Sequence, residues 1–158
     1  QPDDATLYIK GPVLTAGQHA TLMRGIQHWW YWDRGGVLHE LPKAATGTEA
    51  VPSPLQLTQR QVDDLVEASV PDHVLSYVNL NQPMLLKDKS ATKQYELTKM
   101  ALQTAQKFGL AGMRDLVNFF CVVLSYGERL QTDPRIEPIL MRLHNKEIIM
   151  DQVMELLP

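Results

Sequence analysis

The sequence predicts an α+β chain that is predominantly α: a helix and an aromatic β-hairpin, then a bundle of five or six helices. Three observations carry this. Apolar residues recur at helical spacing through most of residues 57–158. Two β-prone runs, His28-Trp29-Trp30-Tyr31-Trp32 and Val37-Leu38-His39-Glu40-Leu41, flank Asp33-Arg34-Gly35-Gly36, a segment able to turn tightly. Between the two regions, Lys43 to Pro54 has no periodicity and holds Gly47, Pro52 and Pro54. The expected organisation is therefore a helix-and-hairpin segment over 1–42, a linker over 43–56 and a helical lobe over 57–158.

Each element has a local cause. Thr6-Leu7-Tyr8-Ile9-Lys10 is a short β-prone run stopped by Gly11-Pro12. Thr15-Ala16-Gly17-Gln18 fits a capping box, and Leu22, Met23 and Ile26 continue one helical face. In the hairpin, alternation sends Trp30 and Trp32 to one face and Trp29 and Tyr31 to the other. Thr58-Gln59-Arg60-Gln61 is a second capping box, followed by Val62, Leu65, Val66 and Ser69 on one face. Pro71 is expected to begin a new helix bearing Val74, Leu75 and Val78, because proline has no N–H to continue the old one. Residues 79–89 read as a loop around apolar Met84-Leu85-Leu86.

Ser90 can cap the next helix, whose stripe is Leu97, Met100, Ala101, Ala105 and Phe108. Gly109-Leu110 resembles a Schellman stop. A central helix over about 113–130 is apolar on nearly every side, with Gly127 allowing a close neighbour. Asp133-Pro134 reads as an N-cap and first helical position, with Pro138 delaying the regular turns. Ile139, Leu140 and Leu143 form that helix's face. Asn145 is expected to cap a last helix with Ile148, Ile149, Val153, Leu156 and Leu157.

Composition narrows the function classes. The 158 residues are 44% apolar and 21% charged, ordinary for a globular chain and unlike a disordered one. The net charge of −3 and pI of about 5.9 argue against a nucleic-acid binder. No stretch approaches the roughly 20 apolar residues that cross a bilayer, so no membrane role is expected. The single cysteine excludes an intrachain disulfide. The chain starts at Gln1 without an initiator Met or a signal pattern, which points to a piece of a longer protein.

Motifs for chemistry are missing. There is no G-x-G-x-x-G, Walker A loop, G-x-S-x-G elbow or H-E-x-x-H. No two of the five histidines stand at i, i+4. His28 and His39 can approach across the hairpin, but Glu40 lies on the strand face opposite His39, so no three-ligand metal site is expected. Cys121 lies among phenylalanine and valine, a setting that disfavours thiolate and predicts a core cysteine. Asp63-Asp64 and the lysines 87, 89, 93 and 99 read as solvated faces. The expectation is a protein with no catalytic residues, no metal and no cofactor.

The aromatic cluster stands out, since all three tryptophans fall within Trp29 to Trp32. Core packing, a protein interface and a stacking platform for sugar rings all use such residues. The binding candidates are Trp29, Trp30, Tyr31, Trp32, Met84, Leu85 and Leu86. A carbohydrate-binding or enzymatic module using the Trp29–Trp32 cluster is one alternative, and a helical scaffold or regulatory domain is another.

Several segments together resemble one family. Leu14-Thr15-Ala16-Gly17-Gln18, Leu22-Met23-Arg24-Gly25-Ile26 and Trp29-Trp30-Tyr31-Trp32-Asp33 with Gly36 are similar to the end of the amino-terminal lobe of type VI secretion effector chaperones, or adaptors. Leu55 to Gln61 with Leu65 resembles their inter-lobe segment. Ala105 to Leu110, Leu116 to Phe120, Tyr126-Gly127, Asp133-Pro134 and Ile139-Leu140 are similar to their helical carboxy-terminal lobe. The resemblance implies a non-catalytic cytoplasmic bacterial protein that binds a toxic effector and helps load it onto the VgrG spike. It also implies that residues 1–42 are the tail of an amino-terminal lobe.

Overall fold

The structure, a computed structural model, describes residues 13–33, 36–45, 48–49 and 54–158. Over the described residues it is α+β and predominantly α, about 60% helical with a two-stranded antiparallel hairpin. In order come α1 (Ala16–Leu22), β1 (Trp30–Trp32), β2 (Leu38–Glu40) and α2 (Gln59–Asn81). A 3₁₀ turn (Pro83–Leu85) follows, then α3 (Ala91–Lys107), α4 (Met113–Tyr126), α5 (Arg129–Thr132), α6 (Glu137–His144) and α7 (Met150–Leu156). The chain divides into two compact units, Gln1–Val70 and Pro71–Pro158. The expected strand over residues 6–10 lies outside the described residues. At its described positions the 43–56 stretch holds neither helix nor strand.

In the first unit, both capping boxes form. Thr15 Oγ1 accepts the Gln18 N–H at 3.2 Å, and the Thr15 N–H donates to Gln18 Oε1 at 2.8 Å. Thr58 and Gln61 repeat this at 3.3 and 2.9 Å. The two glutamines then meet. Gln61 Nε2 donates to Gln18 Oε1 at 2.5 Å, and Gln18 Nε2 donates to Gln61 Oε1 at 3.1 Å. The remaining donor capacity goes to backbone, Gln18 Nε2 to Gln56 O and Gln61 Nε2 to Val13 O. Both side chains are buried, and every amide donor and acceptor has a partner, which is the condition for burying them without a large desolvation cost. Helix α1 is shorter than the apolar pattern implied. It closes at Met23, Gly25 turns at φ +80°, and Ile26 is exposed beyond the helix.

Pro71 does not start a new helix. Helix α2 runs through it from Gln59 to Asn81. Proline forfeits one backbone bond and crowds the preceding turn, a local cost that burial on either side offsets. Ala68, Val74 and Val78 are all buried. The inward face is also not the expected one: Gln61 and Ala68 point inward, whereas Val62 and Val66 are exposed. Residues 79–81, expected in a loop, are the last of α2, and 83–85 form the 3₁₀ turn.

The second unit is built on α4, which packs against α3, α5, α7 and the 3₁₀ turn. Leu116, Phe119, Phe120 and Val122 are its buried residues. Helix α3 is capped by Ser90 and ends in the anticipated Schellman geometry, with Leu110 N–H on Ala105 O and Gly109 N–H on Gln106 O, both at 3.0 Å. Its inner stripe is Thr98, Ala101, Leu102 and Ala105, and Met100 is exposed. The central helix stops at Tyr126 rather than continuing to residue 130. Gly127 adopts φ +52°, and nothing lies within 4 Å of where its Cβ would be. The glycine serves a backbone conformation that side chains resist, not a close approach.

Asp133 does not cap α6. It closes α5, and its carboxylate gathers Arg135 (Nη2 at 2.8 Å, Nε at 3.0 Å, backbone N–H at 3.1 Å) and Arg129 at 3.3 Å. Those bonds, the Arg135 side chain first, hold the Asp133 carboxyl well below the usual carboxylate range. Helix α6 begins at Glu137, the late start that Pro138 imposes. Asn145 ends α6 instead of capping the last helix. Helix α7 begins after Ile149, whose N–H is taken by Gln152 Oε1 at 3.0 Å.

Candidate interaction surface

The hairpin is fixed by its turn and by register. Asp33 N–H donates to Val37 O at 2.9 Å, Gly36 N–H to Asp33 O at 3.0 Å, and Val37 N–H to the Asp33 side chain at 2.8 Å. Gly36 sits at φ +77°, a left-handed position that glycine takes without strain. The strands pair antiparallel, Trp30 with Glu40, Tyr31 with His39 and Trp32 with Leu38.

The two faces differ as alternation requires. Trp30 is 54% and Trp32 66% exposed, and Leu38 across from Trp32 is exposed as well. Trp29, Tyr31 and His39 on the other face are half-buried, and Leu41 is buried. The Tyr31 and His39 rings stack at 5.4 Å. Each histidine takes a carboxylate of its own face. His28 Nδ1 meets Glu40 Oε1 at 2.5 Å beside the indoles, and His39 Nε2 meets Asp33 Oδ2 at 2.7 Å on the covered side. The two imidazoles therefore do not converge on a shared site. No group of three His, Cys, Asp or Glu that could hold a metal ion occurs among the described residues.

The second candidate segment splits. Met84 is 71% exposed, Leu85 is half-buried, and Leu86 at 1% belongs to the core of its unit. Only Met84 of the three offers a full side chain to a partner. The sequence separated these poorly because the 3₁₀ turn, which aims Leu86 inward, has no period long enough to read.

Cys121 is half-buried rather than fully enclosed, and burial pushes its thiol up, away from the thiolate that nucleophilic chemistry needs. No helix among the described residues is long and apolar enough to cross a membrane. Two features escaped the sequence reading. The Gln18–Gln61 pair needs two positions far apart in the chain to meet. The His28–Glu40 pair was accessible from parity, since 28 and 40 fall on the Trp30 face once Trp30 is opposite Glu40. Comparisons of the chain with protein-family models, with curated proteins and with solved structures return no match.

Proposed function

We propose that this chain is a non-catalytic adaptor that engages a protein partner through the Trp30–Trp32 face of its hairpin. The observation that carries the reading is a pair of exposed indoles on one face of a small sheet. Water-exposed tryptophan forgoes a large apolar burial, and tryptophan is the residue that most often dominates binding energy once covered. Leu38 extends the same face. Met84, with its adaptable thioether, offers a separate exposed contact. The family resemblance names the partners: a type VI secretion effector and the VgrG spike that carries it, met in the bacterial cytoplasm.

The test is affinity for candidate type VI effector and VgrG spike proteins, measured for the parent chain and for the Trp30→Ser/Trp32→Ser variant. Two hot-spot side chains of roughly 2 kcal/mol each make a loss of about 1,000-fold the expected result. Circular dichroism of the variant should match the parent, since both indoles are exposed. Unchanged affinity for these partners, or no binding by the parent, contradicts the reading. Saturable oligosaccharide binding at the indoles without any protein partner would favour the sugar-platform alternative instead.

A further inference from the structure

We infer that the hairpin face recognises a cationic side chain, an arginine or lysine of the partner, held between the Trp30 and Trp32 indoles and the Glu40 carboxylate. This rests on the adaptor reading above and adds the chemistry of the ligand. The ladder bonds Leu41 N–H to Trp29 O and Asp33 N–H to Val37 O mark 29/41 and 33/37 as hydrogen-bonded pairs. The Trp30–Glu40 pair therefore falls in the non-hydrogen-bonded register, where side chains stand closest across an antiparallel ladder. Trp32 is the next residue on that face, one strand repeat of about 7 Å away. Two exposed indoles and one carboxylate thus share a single strand face.

Each part attracts a cation. The indole quadrupole presents negative potential over its ring face, and tryptophan is the strongest such platform among side chains. Glu40 uses Oε1 for His28, and no hydrogen bond to Oε2 occurs among the described residues. Arginine suits the patch because a planar guanidinium can stack on an indole while donating in-plane to a carboxylate. Among the described residues, the cation–ring contacts the fold makes for itself are Lys99 over Tyr95 and Arg129 over Tyr126, both in the other unit. The sequence of the first unit has the same sign on balance: residues 1–70 hold eight acidic and five basic side chains. An anionic partner segment would meet Glu40 with like charge, and a purely apolar one would desolvate that carboxylate with His28 as its one partner among the described residues.

The experiment titrates the intact chain with the peptide acetyl-Gly-Arg-Gly-Arg-Gly-amide and with its citrulline counterpart, which keeps the shape and loses the charge. The readout is the indole N–H signals of Trp30 and Trp32. The arginine peptide should shift both saturably and bind about tenfold more tightly than the citrulline peptide. Glu40→Gln should remove most of that difference. Equal affinity for the two peptides, shifts confined to Trp29, or a preference that survives Glu40→Gln overturns the inference. The adaptor reading is judged separately. If Glu40→Gln keeps full affinity for the protein partner while Trp30→Ser/Trp32→Ser loses it, the cation inference falls and the adaptor reading stands. If the double tryptophan variant keeps partner affinity, the adaptor reading falls as well.

Discussion

Phe120→Ala is expected to lower the unfolding free energy by about 3–5 kcal/mol, the range for deleting a fully enclosed aromatic ring. Phe120 has no exposed surface, and it sits in α4, the helix against which α3, α5, α7 and the 3₁₀ turn all pack. Its neighbours Phe119 and Val122 are buried with it, and Phe119 is in turn in ring contact with Phe108 at 5.6 Å. A cavity there has walls from several elements, and they cannot all close on it together. Denaturant unfolding followed by far-ultraviolet circular dichroism checks this. Phe120→Leu, which keeps most of the volume, should recover much of the loss. A cost below about 1 kcal/mol for Phe120→Ala would mean that this helix is not the enclosed centre of its unit.

Gln61→Leu should cost about 3 kcal/mol although it replaces a polar buried residue by an apolar one of similar size. The change takes a partner from the Gln18 amide, the Val13 carbonyl and the Thr58 N–H; the buried Gln18 amide bears most of the loss, at about 1–3 kcal/mol for a buried group left unsatisfied, and the loss of the Thr58 cap adds to it. Gln18→Leu should cost a similar amount through Thr15 N–H and Gln56 O. The double variant should cost clearly less than the two single losses added together, because the amides no longer orphan each other. Strict additivity would show that the glutamines act as separate caps and not as a pair.

The parts of the fold visible in the sequence are those set by residues a few positions apart. Both capping boxes need only a threonine and a glutamine at fixed spacing, and both form. The Schellman stop at Gly109 and the hairpin turn at Asp33 are likewise local, and strand parity divided the aromatic cluster into two faces without saying which of them is exposed. What local pattern could not supply was decided by burial. Pro71 is a helix breaker by propensity, yet α2 passes through it between Ala68 and Val74, both buried. Val62 and Val66 look like a core stripe, but Gln61 occupies the inner face because Gln18 is there to meet it. Leu86 and Met84 are equivalent in a hydropathy profile and opposite in the fold. Of the candidate contacts, alternation put Trp30 and Trp32 on one face, and only burial shows that face to be the exposed one. Glu40 as their acidic neighbour follows only from the register, and the sequence had weighed it solely as a poor metal ligand.

The most direct measurement of the central claim is the nitrogen–proton spectrum of the three indole groups, recorded with and without the bound protein partner. The chain has only three tryptophans, and they differ in setting, Trp29 half-buried and Trp30 and Trp32 exposed. If the hairpin face is the docking surface, the signals of Trp30 and Trp32 shift or broaden on complex formation and become protected from a soluble quencher, while that of Trp29 changes least. A partner that binds saturably and leaves both exposed indoles unshifted and quenchable would contradict the account.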